Sequence, residues 1–236
     1  MFVVFGPLRS GTTFLMNILN NFEQTDVFQE IYNPILLDEL NKKQYDKLII
    51  NKNIDFKNDY SKCILYDEKL LNYKFKHPFE FLDIMKQNSC NEYFCFKLLF
   101  TQFGCIDFFN NINDFEKRNI KPIIIHRKPI DGFISIKRID NLKKNYVLKD
   151  IFTYFDYTDI SVELDIDEFI KYYDLNNDYY KKLQKHFKNC LIINYDKIPQ
   201  SNYDKIIYLQ NKIKNSFKIE FSNIINYCDH KNIKKK

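Results

Sequence analysis

Short apolar runs alternate along the chain with stretches in which apolar residues recur at helical spacing. The run from Phe2 to Phe5 ends at Gly6-Pro7, as a buried strand would. From Phe14 to Phe22 the apolar positions follow the period of a helix. The pattern therefore predicts that the chain opens with a strand, a tight loop and a helix.

The same alternation continues through most of the sequence. Further strands are predicted at residues 27–28, 93–100, 121–126 and 190–195. Helices are predicted near residues 35–48, 130–139, 165–187 and 201–213. Apolar strands that alternate with helices favour an α/β fold, with three layers (α/β/α) around a central, mostly parallel sheet. We expect one domain over residues 1–236, in which residues 230–236 form a frayed basic tail.

Two of the predicted helices carry recognisable start signals. Pro129 can take the first helical position after the strand at 121–126. Asp165 and Glu168 form a plausible capping box for the helix that runs to about residue 187. The apolar stripes expected to face the core are Ile130, Phe133, Ile134 and Ile139 in the first helix, and Ile166, Phe169, Ile170 and Tyr173 in the second.

The composition excludes several classes of protein. Lys residues alternate with Asp and Glu, and the net charge is only +5, so we expect a solvated surface and no nucleic-acid partner. Apolar runs fall well short of the roughly 18–20 residues of a membrane span, and no signal-peptide pattern is present. We therefore expect a soluble, cytoplasmic protein. The six Cys show no metal-ligand spacing, so we expect reduced thiols and no bound metal.

Arginine and glycine are scarce, and both are concentrated in two short segments. The chain has four Arg (Arg9, Arg118, Arg127 and Arg138) and four Gly. Residues 6–13 and 126–138 contain three of the four Arg and three of the four Gly. Because Lys replaces Arg almost everywhere else, these positions are candidates for planar, bidentate contacts to anions.

The first of these segments, Gly6-Pro-Leu-Arg-Ser-Gly11-Thr12-Thr13, nearly matches the phosphate-binding pattern G-x-x-x-x-G-K-[ST], which makes the predicted fold P-loop-like. Thr12 stands where that pattern has Lys, and the positive charge lies instead at Arg9. Backbone N–H groups of such a loop and of the following helix N-terminus form a cradle for an anion. The missing lysine suggests an anion shorter than a nucleoside triphosphate.

The second segment follows the predicted strand at 121–126. Arg127 stands at the carboxyl end of that strand, the edge where open α/β sheets bind ligands. Ser135 lies eight residues later on the following helix, and Arg138 follows one turn further on. Arg127 and Ser135 could together hold a second anionic group; the alternative for Arg127 is an ordinary surface ion pair.

These motifs resemble those of the sulfotransferases that use 3'-phosphoadenosine 5'-phosphosulfate (PAPS). The segment Arg9-Ser-Gly-Thr-Thr13 is similar to their 5'-phosphosulfate loop, and Arg127 with Ser135 to the pair that grips the 3'-phosphate. Weaker similarities extend over Gln29–Pro34, Phe96–Gln102 and Ile193–Ile198. The chain departs from the family at Leu8, where Pro is usual, and lacks a late Gly-rich loop that covers the cofactor in many members.

The resemblance implies in-line transfer of a sulfuryl group from PAPS to a hydroxyl or amine of an acceptor, with no metal required. It implies that Arg9 takes part in catalysis and that Glu30 is the base, with His126 and His77 as alternatives. Lys97, on a predicted central strand, is a further candidate contact to the phosphosulfate. The implied cofactor-binding residues are Arg9, Ser10, Gly11, Thr12, Thr13, Arg127 and Ser135.

Two other classes of function compete with this interpretation. One is a P-loop nucleotide kinase or NTPase, which Thr12 and the lack of a strand ending in a magnesium-binding Asp disfavour. The other is a catalytically silent module that keeps the nucleotide-binding cradle. The acceptor could be a small molecule, a carbohydrate or a peptide, since residues 35–90 and 141–190 suit all three. The sequence does not indicate whether the protein is a monomer or an oligomer.

Overall fold

The computed structural model describes residues 1–28, 30–32, 74–87, 89, 91–145 and 161–221. Five parallel strands form one sheet in the order β2-β3-β1-β4-β5. They are β1 (Phe2–Gly6), β2 (Thr25–Phe28), β3 (Tyr93–Leu99), β4 (Lys121–His126) and β5 (Leu191–Asn194). Each predicted strand is therefore confirmed, and the sheet of the described residues is entirely parallel.

Helices connect these strands in chain order. They are α1 (Thr12–Leu19), α2 (Pro78–Gln87), α3 (Ile112–Lys117), α4 (Pro129–Asn145), α5 (Ile166–His186) and α6 (Asn202–Phe217). Three-residue 3-10 turns follow β3 at Phe100–Gln102 and β5 at Tyr195–Lys197. The sequence did not predict α2 or α3, and the helix predicted near residues 35–48 lies outside the described residues. Among the described residues, no helix is both long and apolar enough to cross a bilayer.

Alternation of side chains along the strands gives the sheet two apolar faces. In β1, Val3 and Phe5 enter one core cluster, whereas Phe2 and Val4 enter the other. Buried residues of α2, α3 and α5 belong to the first cluster, and those of α1 and α6 to the second. Because helices cover both faces, the protein has the predicted three-layer α/β/α architecture.

The connections place a topological switch point, where open α/β sheets form their ligand crevice, at the carboxyl end of β1. The chain leaves β1 through α1, on one face of the sheet, but leaves β3 through α3, on the opposite face. Ligands of open α/β sheets bind where neighbouring strands send their connections to opposite faces. The loop that follows β1, residues 7–11, lies at this point.

The N-cap of α5 at Asp165 is confirmed, but its predicted inward stripe holds only at Phe169, which is half-buried against Phe133. The Asp165 side chain caps the helix by accepting a hydrogen bond from the Glu168 N–H at 3.0 Å. Ile166 and Ile170 are 73% and 48% exposed, and the buried residues begin only at Asn176. A helix of 21 residues spans about 32 Å, whereas a five-residue strand spans about 17 Å, so only part of α5 can cover the sheet.

The start of α4 differs from its prediction in one residue. The helix begins at Pro129, as expected, and Phe133 is buried. Ile130, predicted to face inward, is 37% exposed. It lies in the first turn, beside the crevice, where no neighbouring layer of the described residues covers it fully.

Arg118 has no predicted role, and it connects the two helices that were not predicted, α2 and α3. Its Nε and NH2 groups donate to the two carboxylate oxygens of Asp83 in α2, at 2.9 and 2.7 Å. Its NH1 donates to the Asp114 carbonyl of α3 at 3.0 Å, and its guanidinium lies over the Phe79 ring. Arg118 is therefore a structural arginine that fixes the end of α3 against α2.

We expect Arg118→Met to lower the free energy of unfolding by about 1–2 kcal/mol, because a bidentate, partly exposed ion pair is lost. Urea denaturation measures the change. Lys117→Met is the matched control, since Lys117 forms an ion pair with Asp114 in the same helix but its side chain is 73% exposed. We expect the control to change stability by less than about 0.5 kcal/mol. Equal effects of the two substitutions would show that the bidentate contact of Arg118 with Asp83 adds no more stability than an exposed ion pair.

Candidate functional site

Two hydrogen bonds from Ser10 close the loop after β1. The Pro7 carbonyl accepts hydrogen bonds from the Ser10 N–H at 3.2 Å and from the Ser10 hydroxyl at 2.7 Å. Ser10 is buried, and Arg9, before it, has a left-handed backbone with φ 64°. The Ser10 hydroxyl, predicted as a ligand for an anion, thus shapes the loop in this structure.

Gly11 is required at its position for two reasons. Its φ of 97° is in the left-handed region that side chains rarely adopt. A Cβ atom there would lie 2.4 Å from ring atoms of Tyr195, which follows β5. The loop backbone therefore packs directly against an aromatic ring from the far end of the chain.

The N-terminus of α1 is suited to an anion. The helix begins at Thr12, directly after Gly11, and no side chain caps its first turn. Its first turn also contains no acidic residue. Because N–H groups and the positive end of the helix dipole converge here, this end of α1 attracts negative charge.

The loop and the second predicted segment meet, although 126 residues separate Arg9 from Ser135. The Arg9 Nε donates a hydrogen bond to the Ser135 hydroxyl at 3.1 Å. The Arg127 NH1 donates to the backbone carbonyl of Arg9 at 2.9 Å. The structure thus brings Arg9, Arg127 and Ser135 into one cluster, with the backbone and side chain of Arg9 between the other two.

Tyr195 supports this cluster and was not predicted as a site residue. The Arg127 guanidinium carbon lies over its ring, 4.9 Å from the centroid, and Phe14 of α1 meets the ring edge-on. The same ring contacts Gly11. Tyr195 lies in a segment that resembled the sulfotransferases, but only the fold shows which residues it touches.

The wall behind Arg127 consists of α5 side chains that remain neutral. Burial raises the pKa of Tyr172 to about 12, although the nearby Arg127 opposes this shift. The Tyr180 hydroxyl donates to the Ile125 carbonyl at 2.9 Å, and burial also raises its pKa. The His126 ring packs against Tyr180, with centroids 4.8 Å apart, so His126 is a packed side chain rather than a free base.

On the α1 side of the loop, a buried lysine joins the loop to a carboxylate. Lys97 of β3 shares the α1 face of the sheet with Cys95, and its side chain is 5% exposed. Its Nζ donates to the Thr13 hydroxyl at 2.6 Å and lies 2.9 Å from Oε1 of Glu30. Lys97 therefore supplies, from a different strand, a positive charge that position 12 of the loop lacks.

The second oxygen of Glu30 contacts Gln102, another residue that was not predicted. The Gln102 Nε2 donates to Glu30 Oε2 at 3.1 Å, and the Leu99 N–H donates to Gln102 Oε1 at 3.1 Å. Gln102 is buried, and the Glu30 side chain is 20% exposed. Glu30 is thus held at both oxygens and still reaches solvent.

The remaining candidates lie outside these contacts. His77 directly precedes α2, which packs on the face of the sheet opposite α1, and Arg138 follows Ser135 by one turn of α4. Among the described residues, no group of three His, Cys, Asp or Glu side chains could hold a metal ion. The site therefore combines an anion cradle, three cationic side chains and one carboxylate.

Comparison of the chain with models of known protein families gave no match. Comparison with curated protein sequences gave no significant match either.

We expect Gly11→Ala to lower the free energy of unfolding by about 2–4 kcal/mol, from backbone strain and the clash with Tyr195. Gly104→Ala is the matched control, because nothing lies within 4 Å of a Cβ atom there and φ is not positive. The control should change stability by less than about 1 kcal/mol. If both substitutions have the same effect in urea denaturation, the contact between Gly11 and Tyr195 does not constrain the loop.

Proposed function

We propose that the protein is a sulfotransferase that transfers a sulfuryl group from PAPS to a hydroxyl or amine of an acceptor. The observation that carries the proposal is the bridge from Thr13 through Lys97 to Glu30. This bridge connects a cradle for an anionic donor to a carboxylate that can accept a proton. Glu30 is 20% exposed, so the same carboxylate that pairs with Lys97 can also meet an acceptor from solvent.

The donor set fits a ligand with two separated anionic groups. The loop backbone, the α1 N-terminus and Thr12 and Thr13 would hold the 5'-phosphosulfate. Arg127 and Ser135 would hold the 3'-phosphate. The Arg127 Nε is buried and has no hydrogen-bond partner among the described residues, which is the state of a donor awaiting a ligand.

The residues of the chain then have distinct parts in the reaction. When bound, PAPS supplies the sulfuryl group, whose S–O bond to phosphate breaks as the acceptor oxygen or nitrogen forms its bond to sulfur. Glu30 accepts the proton of the acceptor at a carboxylate oxygen. Lys97 and the loop N–H groups offset the negative charge that collects at the leaving oxygen. Arg9 adds a charge at the mouth of the same loop.

The geometry at Thr13 disfavours the alternative of a P-loop kinase or NTPase. In that class the corresponding Ser or Thr hydroxyl binds magnesium. Here the Thr13 hydroxyl accepts a hydrogen bond from the Lys97 ammonium at 2.6 Å, and this cation repels a magnesium ion. β3 ends at Leu99 and β4 at His126, so neither strand ends in an Asp that could bind the metal.

Calorimetry with adenosine 3',5'-bisphosphate and with ATP plus magnesium separates these two classes. We expect micromolar binding of the bisphosphate and no binding of ATP. Arg127→Ala should weaken bisphosphate binding about 10–100-fold, because a charge-assisted contact is lost. Lys128→Ala, at the exposed neighbouring position, is the control and should leave the affinity unchanged. Binding of ATP with magnesium but not of the bisphosphate contradicts the proposal.

Sulfuryl transfer from labelled PAPS, screened over sugars, phenols and peptides, separates an enzyme from a silent binding module. We expect Glu30→Gln to lower the transfer rate by about 10²–10⁴-fold and to leave bisphosphate affinity unchanged, because an amide cannot accept the proton of the acceptor, whereas the loop and Arg127 are untouched. Glu92→Ala, an exposed residue just before β3, is the control. Full activity of Glu30→Gln would remove Glu30 as the base.

A further inference from the structure

We propose that Gln102 is a positioning residue that holds the Glu30 carboxylate in place for proton transfer. The inference rests on the proposed sulfotransferase function and deepens it. Gln102 ends a segment that weakly resembles the sulfotransferases, but the sequence assigns it no role. The proposal comes from the contacts that connect the end of β3, through Gln102, to Glu30.

Gln102 is itself oriented by the backbone. The Leu99 N–H donates to its Oε1, so the amide nitrogen must face the other way, where it donates to Glu30 Oε2 at 3.1 Å. The residue is 3% exposed, and the 3-10 turn at Phe100–Gln102 directly continues β3. A buried amide fixed at one end to a central strand is a rigid support for a hydrogen-bonded partner.

Glu30 needs such a support because it lies in no helix or strand of the structure. Its carboxylate is held by side-chain contacts, and those from Lys97 and Gln102 differ in kind. Lys97 is charged and also contacts Thr13 in the anion loop, whereas Gln102 is neutral and is tied to the backbone of β3. An anion in the loop attracts the Lys97 ammonium, but it exerts little force on the Gln102 amide.

The contacts of Lys97 and Gln102 with Glu30 therefore have different roles. Lys97 can shift towards a bound anion, and Gln102 keeps Glu30 in position while this happens. A carboxylate offers about four acceptor sites, and Gln102 occupies one of them. Gln102 can thus fix the plane of the carboxylate without preventing it from accepting the proton of the acceptor.

Gln102→Met tests the proposal, since Met has a similar length but donates no hydrogen bond. We expect kcat to fall about 10–100-fold, the usual effect of a displaced catalytic group, with the bisphosphate Kd within about twofold of wild type. Gln210→Met is the matched control: the Gln210 amide also donates one hydrogen bond, to the Phe221 carbonyl at 3.0 Å, but lies on α6. An equal fall in kcat in both variants overturns the proposal.

A double-mutant cycle distinguishes positioning from a general structural effect. If Gln102 acts only through Glu30, then Gln102→Met has no further effect on the rate of the Glu30→Gln variant. If the two losses multiply, Gln102 acts by another route and the proposal fails. Thermal unfolding of all variants, compared with Gln210→Met, identifies any loss of rate that comes from instability.

NMR tests the contact without relying on activity. The side-chain amide signal that disappears in Gln102→Met identifies Gln102, and we expect Glu30→Gln to move this signal in the ligand-free protein. If the signal moves but wild-type protein transfers no sulfuryl group to any acceptor, the contact stands and the proposed function fails. If wild type is active and the signal does not move, the positioning role fails and the proposed function stands.

Discussion

The close contact between the Gly11 backbone and the Tyr195 ring determines the geometry of the candidate site. Gly11 can approach the ring because it has no side chain, and its left-handed φ turns the chain from the loop into α1. Arg127 lies over the same ring and donates a hydrogen bond to the Arg9 carbonyl. One aromatic side chain at the end of β5 thus locates the loop after β1 and the arginine after β4. The shape of the cradle therefore depends on the position of the Tyr195 ring.

Parallel strands explain how so much positive charge gathers at one edge. Arg9, Lys97 and Arg127 come from or directly after β1, β3 and β4, which are neighbours in the sheet. The parallel arrangement brings the carboxyl ends of these strands together, so each segment contributes one cation. Glu30 offsets part of this charge at Lys97, and an anionic ligand would offset more. The described cations at this edge therefore favour an anionic ligand electrostatically.

The sequence predicts the strands, the loop and the residues with charge, because these follow from local apolar patterns and glycine spacing. Tyr195 and Gln102 were not predicted as site residues, because their roles arise from contacts with Gly11 and Glu30, far away in the chain. The inward stripe of α5 was largely wrong because helical periodicity shows which residues share a face, but not how far the sheet extends beneath it. The helix α2 was missed for another reason, because its Pro at the first position and its apolar Phe79, Leu82 and Met85 are a local helix pattern within a longer polar stretch. Local patterns specify elements, and packing decides which side chains meet.

The long separations within the site have a consequence for how the chain matures. The Arg9 side chain contacts Ser135, and the loop rests on Tyr195, so residues from most of the chain must be in place before the cradle exists. During folding, residues 7–11 cannot take the shape of the cradle until β5 has docked and the Tyr195 ring lies against Gly11. A partly folded chain would therefore lack the cradle. Any ligand of the cradle would bind only the folded protein and would raise its stability by mass action.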